Sequence, residues 1–223
     1  MVAAALKKQF ESVLGGALDW QVRISPDLLP TGVREVDAAT GGLPRGCLTE
    51  IVGPTSSGRT SLLFSILAQA TAHQEICALV DAEDAFDPAS AAAAGVQLDR
   101  LIWVRCSGAE RALKSVDLLI QGGGFGVVVL DLGDTPVAAA RRISLTSWFR
   151  LRRAVEHTPT VLVSVARQSN AKTCASLLLE CSRERIDWSG TPRASRLLRG
   201  VKARATSTKR NMVCSPVFTA AAL

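Results

Sequence analysis

The chain has 223 residues, 48% hydrophobic and 21% charged, which is enough for one full-sized core and ordinary for a folded domain. No apolar run approaches the length of a membrane span, and Lys7 and Lys8 break the Ala-rich start, so the expectation is a cytoplasmic protein without membrane contact or secretory signal. The net charge of +6 is uneven: residues 1–140 hold 10 Lys/Arg against 16 Asp/Glu, whereas residues 141–223 hold 16 against 4, a basic balance that suits DNA phosphates or an acidic protein surface.

In chain order, Leu6, Phe10, Val13 and Leu14 recur at helical spacing within residues 3–18 until Gly15-Gly16, predicting an N-terminal helix and a hinge. "VREVDAATGGLPRGCLTEIVG" reads as a short helix, a Gly/Pro turn and a strand over Leu48–Val52. Residues 61–72 are mostly good helix formers with an apolar face, and "ICALVDAED" is a buried strand over Ile76–Val80 that ends in acids. "PASAAAAGV" predicts a helix closed by Gly95, "LIWVRC" a strand, and residues 109–121 an amphipathic helix broken by Gly122–Gly124. "GVVVLDLGD" is a continuous apolar run of the kind found in central parallel strands, residues 138–156 predict one long basic helix, and "TVLVSVAR" a further buried strand. This alternation specifies an α/β fold, a mostly parallel sheet with helices on both faces. After Val201 the apolar pattern is too poor to predict strands.

Six cysteines (47, 77, 106, 174, 181, 214) form no C-x-x-C pair, and two histidines cannot complete a zinc site, so the cysteines read as buried thiols. The chemistry centres on "GPTSSGRTS", Gly53, Pro54, Thr55, Ser56, Ser57, Gly58, Arg59, Thr60 and Ser61, between a predicted strand and a predicted helix. Such a turn gathers backbone N–H groups and the positive helix end around one point, as a triphosphate requires; an ordinary strand-to-helix turn is the plainer alternative. Arg59 stands where the phosphate-loop pattern has lysine, and a planar guanidinium is not equivalent to a compact ammonium at a crowded site. Asp131, ending "VVVLD", could hold Mg²⁺ through water beside the Thr60 hydroxyl, and Glu83 in "DAEDAFDP" could orient an attacking water.

The stretches "TGVREVDAATGGLPRGCLTEIVGPTSSGRTSL" and "ALVDAEDAFDPASAAAAGVQLDRLIWV" resemble the core of the bacterial RecA recombinase family, and "RNMVCSPVF" (Arg210–Phe218) is similar to that family's last core strand. The resemblance implies a RecA-like P-loop core over residues 31–218, preceded by an N-terminal helix and linker (1–30) and followed by a short tail (219–223), with no separate C-terminal domain. It implies ATP and Mg²⁺ as cofactors, Glu83 as catalytic glutamate, Asp131 as the magnesium-side acid, Asp87 near adenine, and Arg210 acting across a subunit interface. It further implies that the opening "AAALKKQFESVLGG" packs on a neighbouring protomer, hence self-association through this helix or capping of a RecA filament end.

Several positions depart from the family pattern. Ser90 replaces the adenine-stacking tyrosine, Ala166 falls on or near the glutamine that senses the γ-phosphate, Met212 takes one of the two interface lysine positions, and both DNA-binding loops are shortened. These losses look like the ImuA group, accessory factors of mutagenesis cassettes in translesion synthesis. The expected function is accordingly a nucleotide-binding accessory factor of DNA repair within the SOS damage response, with weak or no ATPase activity. It would dock on a RecA filament, an error-prone polymerase or DNA. Two alternatives stand beside it: an active DNA-dependent ATPase using Arg59 in place of lysine, and an interaction module that binds no nucleotide. The basic surface would comprise Arg142, Arg150, Arg152, Arg153, Arg193, Arg196, Arg199, Lys202 and Arg204, without interleaved aromatics and so without base stacking.

Overall fold

A computed structural model describes residues 27–189, 197–209 and 212–221. The helix expected over residues 3–18 lies outside the described residues, as do Arg193, Arg196, Arg210 and the side chain of Arg199. In chain order the elements are β1 (Leu28–Leu29), α1 (Arg34–Thr40), β2 (Leu43–Pro44), β3 (Cys47–Val52), α2 (Arg59–Ala72), β4 (Cys77–Asp81), α3 (Pro88–Ala93) and β5 (Leu101–Arg105). They continue with α4 (Ala109–Gly122), β6 (Val127–Asp131), α5 (Val137–Ala140), α6 (Leu145–Val155), β7 (Val161–Ala166), β8 (Leu177–Ser189), β9 (Leu197–Lys209), β10 (Met212–Cys214) and β11 (Val217–Ala221).

The main sheet has nine strands in the order β10-β9-β8-β3-β7-β6-β4-β5, with β11 also paired to β9. Strands β3 to β8 run parallel, which follows from the crossover connections between them, helical except for the short turn from β7 to β8, and β9, β10 and β11 add antiparallel. The central strands β3, β4, β6 and β7 are buried on both faces, which is why their sequences are mostly apolar without alternation, Thr49 and Glu50 of β3 and Ser164 of β7 being buried polar exceptions. Alternate residues feed two cores. Ile51, Leu79, Val129 and Val163 pack with Leu62, Leu63, Ile66 and Leu67 of α2; Leu48, Val80, Val128 and Leu162 pack with Val116 of α4 and with Trp148 and Leu151 of α6. The expected mostly parallel α/β sheet is therefore present.

Two expectations need correction, and one open point is decided. The helix predicted over residues 138–156 is two helices, α5 and α6, because the Ser144 side chain accepts from the Ser147 backbone N–H at 3.1 Å and starts α6 afresh. The tail after Val201 folds as strands: β8 and β9 form a long hairpin, and β11 pairs with β9 from Val217↔Arg204 to Ala221↔Gly200. Beyond Cys181 most of β8 is exposed on both faces, so its sequence carries no apolar alternation to reveal it. The stretch Arg210–Phe218, expected as one strand, contains β10 and the start of β11, separated at Ser215-Pro216.

Candidate functional site

The loop from Gly53 to Gly58 leaves β3 at the C-terminal end of the sheet and enters α2, at the crevice where open parallel sheets bind ligands. Two glycines are required here by close approach. A Cβ at Gly53 would run into the Cys181 carbonyl oxygen of β8, and one at Gly58, which has a left-handed φ of 91°, would lie 2.7 Å from Ala203 Cβ of β9 and 3.3 Å from the Phe218 ring of β11. Ser56 also adopts a left-handed conformation, with φ of 59°. Left-handed residues within a turn swing successive N–H groups toward one side, and the first N–H groups of α2 have no intrahelical acceptor, so the loop forms a concave array of donors. The Ser57 hydroxyl is buried and finds no hydrogen-bond partner among the described residues.

Arg59, the first residue of α2, is only 6% exposed. Its Nη1 donates to the Gly53 carbonyl at 2.6 Å and its Nη2 to the Gly133 carbonyl at 2.7 Å, while Asp134 lies 3.8 Å away. The guanidinium thus joins the start of the loop to the turn after β6. Burial lowers its pKa from the usual value, and Asp134 and Asp131 oppose the shift.

Of the expected acids, Asp131 ends β6 directly beside Asp81 at the end of β4, a neighbour the sequence reading did not single out. Burial pushes the Asp131 carboxyl up to about 6 with Asp81 adding to the effect, whereas the Gly133 N–H, which donates to Oδ1 at 2.8 Å, and Arg59 oppose it. Asp81 is structural: its carboxylate accepts from the backbone N–H of Glu83 and Phe86, fixing the "DAEDAF" turn, and Phe86 wedges edge-on between Phe64 and Trp103. Glu83 is exposed and accepts a hydrogen bond from the Thr135 hydroxyl at 3.0 Å, across from the turn that Arg59 holds. Asp87 caps α3, accepting from the backbone N–H of Ala89 and Ser90 and from the Ser90 hydroxyl, which holds its carboxyl below the usual range.

A cavity of about 380 Å³ lies over the loop, lined by residues 55–61 together with Asp134, Gly200, Val201 and Ala220. A larger one of about 1110 Å³ adjoins it, sharing Thr60, Ser61 and Ala220 and running along α2 past Phe64 to Ser90 and Ala94. Glu83, Asp87 and Asp131 line neither.

Residues 4–141 match the RecA N-terminal domain, well over half of the chain. The chain belongs to the RecA family. It is similar to Protein RecA of Symbiobacterium thermophilum, 33% identical over 182 residues covering 74% of this chain and 52% of that protein. Protein RecA of Methylococcus capsulatus is 46% identical over 107 residues, 47% of this chain and 31% of that protein, and Protein RecA of Chlorobium chlorochromatii 33% over 178 residues, 72% and 50%. The chain thus spans about half the length, or less, of the curated relatives it matches.

The phosphate loop of this RecA-family chain fits a polyphosphate: a cavity lies against the loop and the start of α2, where helix N–H groups are free to donate, and the Ser57 hydroxyl lacks a partner among the described residues. Sequence reasoning missed Glu50. This fully buried carboxylate of β3 accepts from the Ser169 hydroxyl at 2.6 Å and from the backbone N–H of Asn170 and Ala171 at 2.9 Å each, anchoring the turn after β7. A lone acid inside an apolar strand two residues before the loop was the available signal. The basic surface is unevenly free: Arg150 lies 3.6 Å from Asp117 and Arg204 pairs with Glu184, while Arg142, Arg153 and Lys202 are exposed and make no ion pair among the described residues. Among those residues no helix is long and apolar enough to cross a membrane.

Proposed function

We propose that this RecA-family chain is a nucleotide-binding accessory factor of DNA repair and damage tolerance, in which the Gly53–Ser61 loop holds the phosphates of ATP and hydrolysis is slow or absent. The observation that carries the reading is the fate of the residue in the lysine position. Arg59 is buried and hydrogen-bonded to two backbone carbonyls, so it braces the loop instead of following a phosphate through a reaction. The nucleoside would lie in the larger cavity along α2, where Ser90 contributes a hydroxyl in place of a stacking ring. Asp87 is committed to its helix cap. The turn after β7 is short and tied to Glu50, and Ala166 ends β7 with no side-chain amide to report on a γ-phosphate.

The exposed cations of α6 and β9 would then dock the protein on an acidic surface, a RecA filament or an error-prone polymerase, or on DNA phosphates without reading sequence. The test is equilibrium binding of a fluorescent ATP analogue together with phosphate release at high protein concentration. Saturable binding with no phosphate released is expected; turnover abolished by Glu83→Gln would replace this reading with that of an active ATPase, and no binding would remove the nucleotide from the function.

A further inference from the structure

The expectation that Thr60 and Asp131 share a magnesium ion meets a cation already in place. The Arg59 guanidinium spans from the Gly53 carbonyl, 2.6 Å from Nη1, to the Gly133 carbonyl, 2.7 Å from Nη2. A Cβ placed on Gly133 would lie 2.9 Å from Asp131 Oδ1 and 3.1 Å from Arg59 Nη2, so the carboxylate and the guanidinium approach one point from either side of that residue. The same Asp131 oxygen accepts the Gly133 N–H at 2.8 Å, and Asp134 sits 3.8 Å from Nη2 on the outer side. A magnesium ion demands near-octahedral oxygen ligands and keeps much of its water, and here it would have to settle beside a buried positive charge that shares the Gly133 position with the acid.

Resting on the nucleotide reading above, we propose that the guanidinium of Arg59 is a built-in cation that stands in for the magnesium ion, so that the cradle takes a nucleoside triphosphate free of metal. The geometry of the two side chains makes the difference. A lysine in this position is a single point charge on a flexible stem, able to swing toward a phosphate and leave the acid to a metal; the planar arginine fork reaches both carbonyls at once and is held there. The charge that a metal would bring with the nucleotide is then supplied by the protein before the nucleotide arrives. The same arrangement accounts for slow hydrolysis, because a guanidinium locked between two carbonyls cannot move with the charge that develops on a departing phosphate.

The inference is tested by binding of a fluorescent ATP analogue to the wild-type chain in EDTA and in excess Mg²⁺, and by the same pair of titrations on Arg59→Lys. Wild type is expected to bind as tightly in EDTA as in Mg²⁺, and Arg59→Lys to gain about tenfold or more in Mg²⁺ over EDTA. Tightening of the wild type by about tenfold in Mg²⁺ overturns the inference and leaves the nucleotide reading standing. No binding in either medium overturns both. The wild-type comparison decides the matter even if Arg59→Lys fails to fold, and a folded Arg59→Lys indifferent to Mg²⁺ also overturns it.

Discussion

At the scale of single residues, the site is governed by what burial does to charge. Asp131 has its carboxyl raised to about 6, chiefly by burial, although Arg59 and the Gly133 N–H oppose the shift. A carboxyl with a raised pKa binds its proton more tightly in the folded than in the unfolded state. Its favourable contribution is therefore fully present below the unfolded value of about 4 and is lost as pH rises through about 6. Asp131→Asn should accordingly gain most over wild type at pH 7 to 8, with the advantage shrinking as pH falls from 6 to 4. Urea denaturation of both proteins across that range checks this, and a constant difference would mean that Asp131 does not titrate there. Glu50 is also buried, and three donors satisfy it, which is why an acid persists in the middle of an apolar strand.

At the scale of elements, the phosphate loop depends on strands far away in sequence. Gly53 lies under β8 and Gly58 under β9 and β11, so the loop is roofed by the part of the chain whose strands were not legible from the apolar pattern. Ala203→Val adds bulk against Gly58 without altering any residue of the loop. Overpacking of this kind costs about 1–3 kcal/mol. We expect it to weaken binding of the ATP analogue more than Ala205→Val, whose side chain lies in the same core without an approach to Gly58. Equal affinities for the two variants, measured by fluorescence titration, would show that the roof does not shape the cradle. The split of the basic helix at Ser144 has a similar origin, since one hydroxyl that caps a backbone N–H outweighs the helical propensity of the residues on either side.

At the scale of the whole molecule, a single sheet runs from β5 at one edge to β10 at the other. Cys77 in β4 and Cys181 in β8 lie in different parts of it, and burial pushes both thiols up to about 12. In the native protein a thiol reagent should label Cys47, Cys106 and Cys214 first, and should reach Cys77 and Cys181 only when the sheet opens. If the sheet opens as one cooperative unit, these two label at the same rate by mass spectrometry. Faster labelling of Cys181 would mark the β8–β9 side as a unit that opens on its own.

What the sequence by itself determined was everything that local pattern encodes. Apolar runs marked β4, β6 and β7, a Gly/Pro turn marked the start of β3, amphipathic spacing marked α4, and the glycine-rich turn after β3 marked the cradle, because each of these signals lies within a dozen or so neighbouring residues. The tertiary structure alone decided what the functional residues do there. The sequence placed Arg59 at the phosphate loop but could not show the Gly133 carbonyl, 74 positions away, to which it donates, and Glu50 is an anomaly until the turn 120 positions later supplies its donors. That Asp87 also caps its own helix is visible only in the folded chain. Hydrogen bonds of that kind are made by folding distant segments together, and no periodicity along the chain records them.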